Sequence, residues 1–106
     1  MTIIFLDDDH QDFLIWRDGS GGTVEIFNIH VGSERRRGKG RHLVEALFRE
    51  VGEGKLIWAV TRADNCIAQE FYEALRFRVL GVLREFYGAR AVVDAVVYGR
   101  KSEGPV

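Results

Sequence analysis

The stretch IHVGSERRRGKGRHL, residues 29–43, decides the reading of this chain. An apolar, β-type segment runs into a glycine-containing loop, and beyond Gly38 the apolar period changes. Leu43, Val44, Leu47, Phe48 and Val51 recur at helical spacing, Arg41, Glu45 and Arg49 lie off that stripe, and Gly52 and Gly54 end the helix. A strand, a loop and a helix start therefore meet around five cations, Arg35, Arg36, Arg37, Lys39 and Arg41. The helix macrodipole makes cations unwelcome at a helix start by roughly 0.3–1 kcal/mol each, unless an anion answers them. First-turn amides can point at phosphate oxygens, and Gly38 and Gly40 let the main chain come close with no Cβ in the way. A phosphate-bearing ligand is expected. It is not bound through a P-loop, whose G-K-S/T ending would need a hydroxyl where Gly40 stands, nor through a dinucleotide fingerprint, whose third glycine is replaced by Leu43.

Upstream, residues 2–6 (TIIFL) and 13–16 (FLIW) read as strands across an Asp-rich turn, and residues 23–31 as a third strand entered through glycines 19, 21 and 22. Downstream, residues 56–60 (LIWAV) fit a buried strand. A second helix over residues 65–76, capped by Asp64 or Asn65, carries Ala68, Phe71, Tyr72 and Leu75 on one face, and strands over 78–87 and 91–98 meet at Gly88 as a hairpin. Three strands, helix, strand, helix and two strands make an α+β fold. Its mixed β-sheet is flanked by helices, with a parallel crossover in the middle and antiparallel pairs outside. One domain is expected over residues 1–100, followed by a polar tail, 101–106, that frays.

The 106 residues, 46% hydrophobic and 29% charged, suit one core. Cys66 is the only cysteine, which excludes an intrachain disulfide and a zinc cluster; it is read as a buried, inert thiol. No apolar run approaches the roughly 18 residues of a membrane span, so a cytoplasmic chain with no metal and no membrane partner is expected. The formal charge of −1 hides the cluster at residues 35–41, which points to a local anion site rather than a generally basic surface. Nucleic acid is not the expected partner, because the cations lack aromatic stacking platforms beside them. Asp7, Asp8, Asp9 and Asp12 read as a hydrated turn, and Trp16 and Trp58 as core or dimer-interface residues.

Arg35-Arg36-Arg37-Gly38-Lys39-Gly40 resembles the pyrophosphate loop, Q/R-x-x-G-x-G/A, of the GNAT acetyltransferase superfamily. Asn65, Ala68, Tyr72, Glu73 and Phe77 resemble its second motif, N-x-x-A-x-x-x-Y-E-x-x-x-F. The likeness spans residues 24–98 and is nearest in look to the bacterial ribosomal-protein N-terminal alanine acetyltransferases. It implies the GNAT acyl-CoA N-acyltransferase fold in a minimal version, with acetyl-CoA as acetyl donor. The acceptor would be a primary amine, either a peptide or protein α-amine or a small amine, and transfer would be direct within a ternary complex. On the same grounds, backbone of Ile29 and Val31, flanking His30, would pair with the pantetheine arm. Amides of Arg36, Arg37, Gly38, Lys39, Gly40 and Arg41 would hold the pyrophosphate, Asn65 would fix the cofactor arm, and Tyr72 would protonate the departing thiolate.

Val60 stands where alanine acetyltransferases carry a glutamate. Glu25 is the substitute, lying six residues before Val31 as in the histone-acetyltransferase branch; His30 and water stay open as alternatives. A weak base suits an α-amine, roughly a tenth unprotonated at neutral pH, better than a lysine, deprotonated at roughly one part in two thousand. Only about 22 residues precede the third strand, where the family commonly has a strand and two helices, so the acceptor side is expected to be open or completed in a homodimer. Arg76 stands where glycine is usual. The alternative reading is a non-catalytic CoA-binding module acting through a protein partner.

Overall fold

The protein is seen in a computed structural model that describes residues 1–5, 11–32, 38–86 and 93–103. The chain forms two compact units, Met1–Ile57 with Lys101–Val106, and Trp58–Arg100.

In the first unit, β1 (Thr2–Phe5), β2 (Phe13–Asp18) and β3 (Val24–His30) hydrogen-bond in the order β1-β2-β3, each pair antiparallel. A single 3-10 turn, Ser20–Gly22, links β2 to β3, and the left-handed backbone at Gly21 (φ 67°) and Gly22 (φ 77°) explains the glycines there. Helix α1 (Lys39–Val51) packs on β1 and β2. The predicted stripe is the buried one: Leu43, Val44, Leu47 and Phe48 are buried, as are Leu14, Val24 and Ile26, and together they make the core of this unit. Truncating Leu43 or Leu47, each fully buried, to alanine would cost about 2–5 kcal/mol. The helix stops at Gly52 (φ 85°), whose N–H donates to Phe48 O at 3.0 Å.

The second unit holds most of β4 (Leu56–Arg62), then α2 (Cys66–Ala74), β5 (Arg78–Leu83) and β6 (Ala95–Lys101), with strand order β4-β6-β5. Strands β5 and β6 pair antiparallel with a register slip at Leu80. The turn expected at Gly88 lies outside the described residues. Ala59, Tyr72, Leu75, Phe77, Ala95 and Tyr98 form the core of this unit, and Ala63 N–H donates to Asp94 O at 2.8 Å.

Strand and helix content agrees with the α+β reading, with differences at the edges. Strands β2 and β4 each run two residues further than expected, β5 stops at Leu83, and β6 is shifted to Ala95–Lys101. The tail does not fray at its start. Ser102 is 4% exposed; its N–H reaches Lys55 O at 2.7 Å, its Oγ accepts from Lys55 N at 2.9 Å, and its hydroxyl donates to Gly52 O. Polarity misled the sequence reading here, because a hydroxyl that satisfies several backbone groups at once is stable when buried.

Candidate functional site

Helix α1 begins at Gly38, whose backbone is left-handed (φ 71°, ψ 18°) and whose carbonyl accepts from His42 N at 3.0 Å. Among the described residues no side chain caps the helix start, and no acidic residue lies in its first turn. A Cβ built on Gly38 would meet none of the described residues within 4 Å. Of the predicted anion-site residues, Gly38 and Lys39 are half-buried, Gly40 is buried and Arg41 is exposed. Arg36 and Arg37 lie outside the described residues.

The ammonium of Lys39 lies 3.0 Å from Asp12 Oδ2. The other oxygen of that carboxylate, Oδ1, accepts from the backbone N–H of Gly32 at 2.7 Å. Asp12 is only 1% exposed, so it does not belong to a hydrated turn. Its partners lie far along the chain and rescue its burial. A buried carboxylate is stable only when paired and hydrogen-bonded, and here both conditions hold. Nothing in its Asp-rich setting distinguished Asp12; its only local signal was its place one residue before β2.

Strand β3 carries the next group of residues. Its register against β2 slips: Ile15 lies opposite Asn28, whereas Trp16 lies opposite Ile26, which leaves Phe27 as an extra residue in a β-bulge. A one-residue slip exchanges the faces of the strand. Ile29, opposite the buried Leu14, therefore returns to the core face with Val24 and Ile26. Glu25, Asn28 and His30, opposite Arg17, Ile15 and Phe13, share the other face. The two candidate bases, Glu25 and His30, thus sit on one side of one strand. The signal was present in the sequence as a phase change, with apolar residues at 24 and 26 and then at 27, 29 and 31.

Glu25 Oε1 accepts from Arg17 Nε at 2.5 Å, and the Arg17 guanidinium lies 4.8 Å from the centre of the Phe27 ring. His30 is exposed and packs its ring on Phe13, with centroids 5.4 Å apart. Val31 follows the strand and is half-buried.

In the second unit, Asn65 rather than Asp64 caps α2: its Oδ1 accepts from Ala68 N at 3.1 Å. Asp64 instead pairs with Arg62 at 3.0 and 3.1 Å, and that hydrogen bonding holds its carboxyl below the ordinary range. Cys66 is exposed at the first turn, not buried; an N-terminal turn offered it no apolar cover. Tyr72 is 4% exposed, ringed by Phe71, Phe77 and Tyr98 at centroid distances of 5.1, 5.2 and 5.8 Å. Burial pushes its phenol well above the usual tyrosine value, so it keeps its proton throughout the neutral range.

The end of α2 fixes that ring. Arg76 adopts a left-handed backbone (φ 64°), its N–H donates to Glu73 O at 3.0 Å, and Phe77 N–H donates to Tyr72 O at 2.9 Å. This is a Schellman ending, and its characteristic apolar contact is the pair Tyr72–Phe77. Tyr98 adds a hydroxyl donating to Glu73 Oε1 at 3.1 Å, and Arg100 donates to Leu75 O at 2.6 Å.

Among the described residues, no group of three or more His, Cys, Asp or Glu side chains could hold a metal ion, and no helix is long and apolar enough to cross a membrane.

Solved structures similar to this chain include a protein from Desulfovibrio desulfuricans described as an acetyltransferase of the GNAT family, with 26% identity, a TM-score of 0.81, and coverage of 95% of this chain and 68% of that one. They also include the ribosomal-protein-S18-alanine N-acetyltransferase from Escherichia coli, with 28% identity, a TM-score of 0.70, and coverage of 91% and 64%. A third, from Bacillus anthracis, is described as a streptothricin acetyltransferase in complex with acetyl coenzyme A; it shares 20% identity and the fold, with a TM-score of 0.78 and coverage of 89% and 57%. This chain spans about two thirds of the length of the first two. No curated protein matches it. Residues 2–77, most of the chain, match the acetyltransferase (GNAT) family, so the chain belongs to the GNAT family of acetyl-CoA-dependent N-acetyltransferases.

Proposed function

We propose that this protein transfers the acetyl group of acetyl-CoA directly to a primary amine, either a peptide or protein α-amine or a small amine. The observation that carries the proposal is the start of α1: no side-chain cap among the described residues, no acid in the first turn, a left-handed glycine, and cations in the adjoining sequence. Such a helix end is incomplete without an anion, and a pyrophosphate answers both its amides and its charge. Amides of residues 36–41 hold that group in this reading, backbone of Ile29 and Val31 pairs with the pantetheine arm, and Asn65 helps to fix the arm. An α-amine is favoured by the similarity to the S18 alanine N-acetyltransferase.

The transfer balances without a covalent enzyme intermediate. The neutral amine attacks the thioester carbon, the C–S bond breaks, and the sulfur takes a proton. Tyr72, on α2, supplies that proton in this reading. The proton lost by the acceptor nitrogen passes to Glu25, directly or through water. His30 shares the face of β3 and is the competing base.

Calorimetric titration with CoA, acetyl-CoA and ATP tests the donor, and a panel of peptide and small amines with acetyl-CoA tests the transfer. Binding of both CoA species but not ATP, with acetyl transfer to at least one amine, is the expected result. CoA binding without transfer to any amine would favour the non-catalytic module, and no CoA binding would overturn the reading altogether.

A further inference from the structure

We infer that Asp12 is a positioning residue for the donor's pyrophosphate, and that it takes the ammonium of Lys39 out of the phosphate-binding set. The inference rests on the acetyl-CoA reading above. A single carboxylate, 1% exposed, accepts from Gly32 N at 2.7 Å and pairs with Lys39 Nζ at 3.0 Å. Gly32 lies two residues beyond the end of β3, and Lys39 is the first residue of α1. Asp12 itself directly precedes β2, so it ties the beginning of the helix and the end of β3 to one point of the sheet. The first-turn amides of α1 are thereby held in register with the strand whose backbone is assigned to the pantetheine arm.

The same geometry reassigns Lys39. Its charge is counted with the cluster at residues 35–41 in the sequence, yet in the fold it faces a carboxylate. Lys39 therefore contributes its backbone N–H to the helix start and its ammonium to the clamp. Of the described residues there, Arg41 and the macrodipole are left to answer the phosphate charge.

Positioning and plain electrostatics predict opposite signs, which makes the inference testable. A carboxylate beside an anion site repels the anion, so on charge alone Asp12→Asn would tighten CoA binding. If Asp12 positions the helix start, Asp12→Asn weakens it. We expect at least a tenfold loss of CoA affinity by calorimetry, with binding of pantetheine, which has no pyrophosphate, unchanged. Lys39→Gln is expected to weaken CoA too, and the double variant Asp12→Asn/Lys39→Gln to be no stronger than either single one, because both break one clamp. Additive charge effects would instead return the double variant to the wild-type affinity, and that result overturns the inference. Equal or tighter CoA binding by Asp12→Asn overturns it as well, as does an equal loss of pantetheine binding, which would mark a general loss of structure. The double variant removes both charges of this ion pair and carries the test where Asp12→Asn alone does not fold. A wild-type chain that ignores CoA would sink the acetyl-CoA reading itself; one that binds CoA with Asp12→Asn unaffected would sink only this inference.

Discussion

Helices α1 and α2 begin in opposite ways. Helix α2 is complete in itself: Asn65 turns its side chain back to the Ala68 N–H, and its far end is closed by hydrogen bonds to Tyr72 and Glu73 carbonyls. Helix α1 starts at a glycine that can cap nothing, carries no acid in its first turn, and lies beside a cationic stretch. Helix propensity alone would favour the first arrangement in both places. On the proposed function the contrast separates two jobs: α2 is a finished support that carries Tyr72, whereas α1 keeps its positive end for a ligand. Asp12 then holds that unfinished end in place without covering it.

The sharpest way to break this division of labour is Tyr72→Phe. If α2 serves chemistry and α1 serves binding, turnover falls by roughly 100- to 1000-fold while calorimetric affinity for acetyl-CoA changes little. Unchanged turnover would remove Tyr72 as the acid, and a matching loss of affinity would erase the distinction between the helices. Alkaline pH probes the same ring differently. Tyr72 and Tyr98 both have phenols raised above 10, Tyr72 by burial and Tyr98 by burial and the Glu73 carboxylate. Their contribution to stability is fully present below pH 10. Above it the unfolded chain loses protons that the folded chain retains, and stability falls by up to about 1.4 kcal/mol per pH unit for each tyrosine. Urea midpoints from pH 8 to 11 should be flat and then drop, and Tyr98→Phe should shallow the drop.

On the α1 side, Arg41→Glu should push two quantities apart. An acid in the first turn suits the macrodipole, so the unliganded protein gains about 0.5 kcal/mol or more, read from its urea midpoint. CoA affinity falls about tenfold in the same variant. A protein that becomes both less stable and no weaker in CoA binding would show that the start of α1 is an ordinary solvated end. The matching change on α2 is Asn65→Ala, expected to cost about 1 kcal/mol through the lost cap. Asn65→Ser restores the cap but not the amide; if it regains stability while acetyl-CoA binding stays weak, the amide reaches the cofactor arm as well.

The sequence announced the helices better than it announced the site. The Leu43, Val44, Leu47, Phe48 stripe and the Asn65 cap are local signals, set by period and by a side chain meeting its own backbone. Asp12 was illegible because its meaning lies in partners 20 and 27 residues away. Ser102 was hidden for the same reason, since a serine in a polar tail looks the same whether or not Lys55 and Gly52 are waiting for it. The bulge at Phe27 falls between these cases. Its phase change stands in the sequence, but reading it as a bulge rather than as a strand buried on both faces requires the β2 register.

The smallest expected effect lies at the far end of α2. Arg76 holds a left-handed backbone, φ 64°, that a side chain with a Cβ disfavours. Glycine adopts it freely. The hydrogen bonds from Arg76 and Phe77 to Glu73 and Tyr72 hold the residue in place despite the strain. Arg76→Gly relieves the strain but enlarges the freedom of the unfolded chain, so the two effects partly cancel. A net gain of about 0.5–1 kcal/mol is expected, a rise of a few degrees in Tm, with kcat unmoved because the Tyr72–Phe77 contact is already made. A loss of stability would mean that the Arg76 side chain supports the helix end and that α2 is less self-sufficient than its caps suggest. A rise in kcat together with the gain would show instead that the strain at Arg76 had been displacing Tyr72, and that both ends of α2, not only its ring, bear on the chemistry.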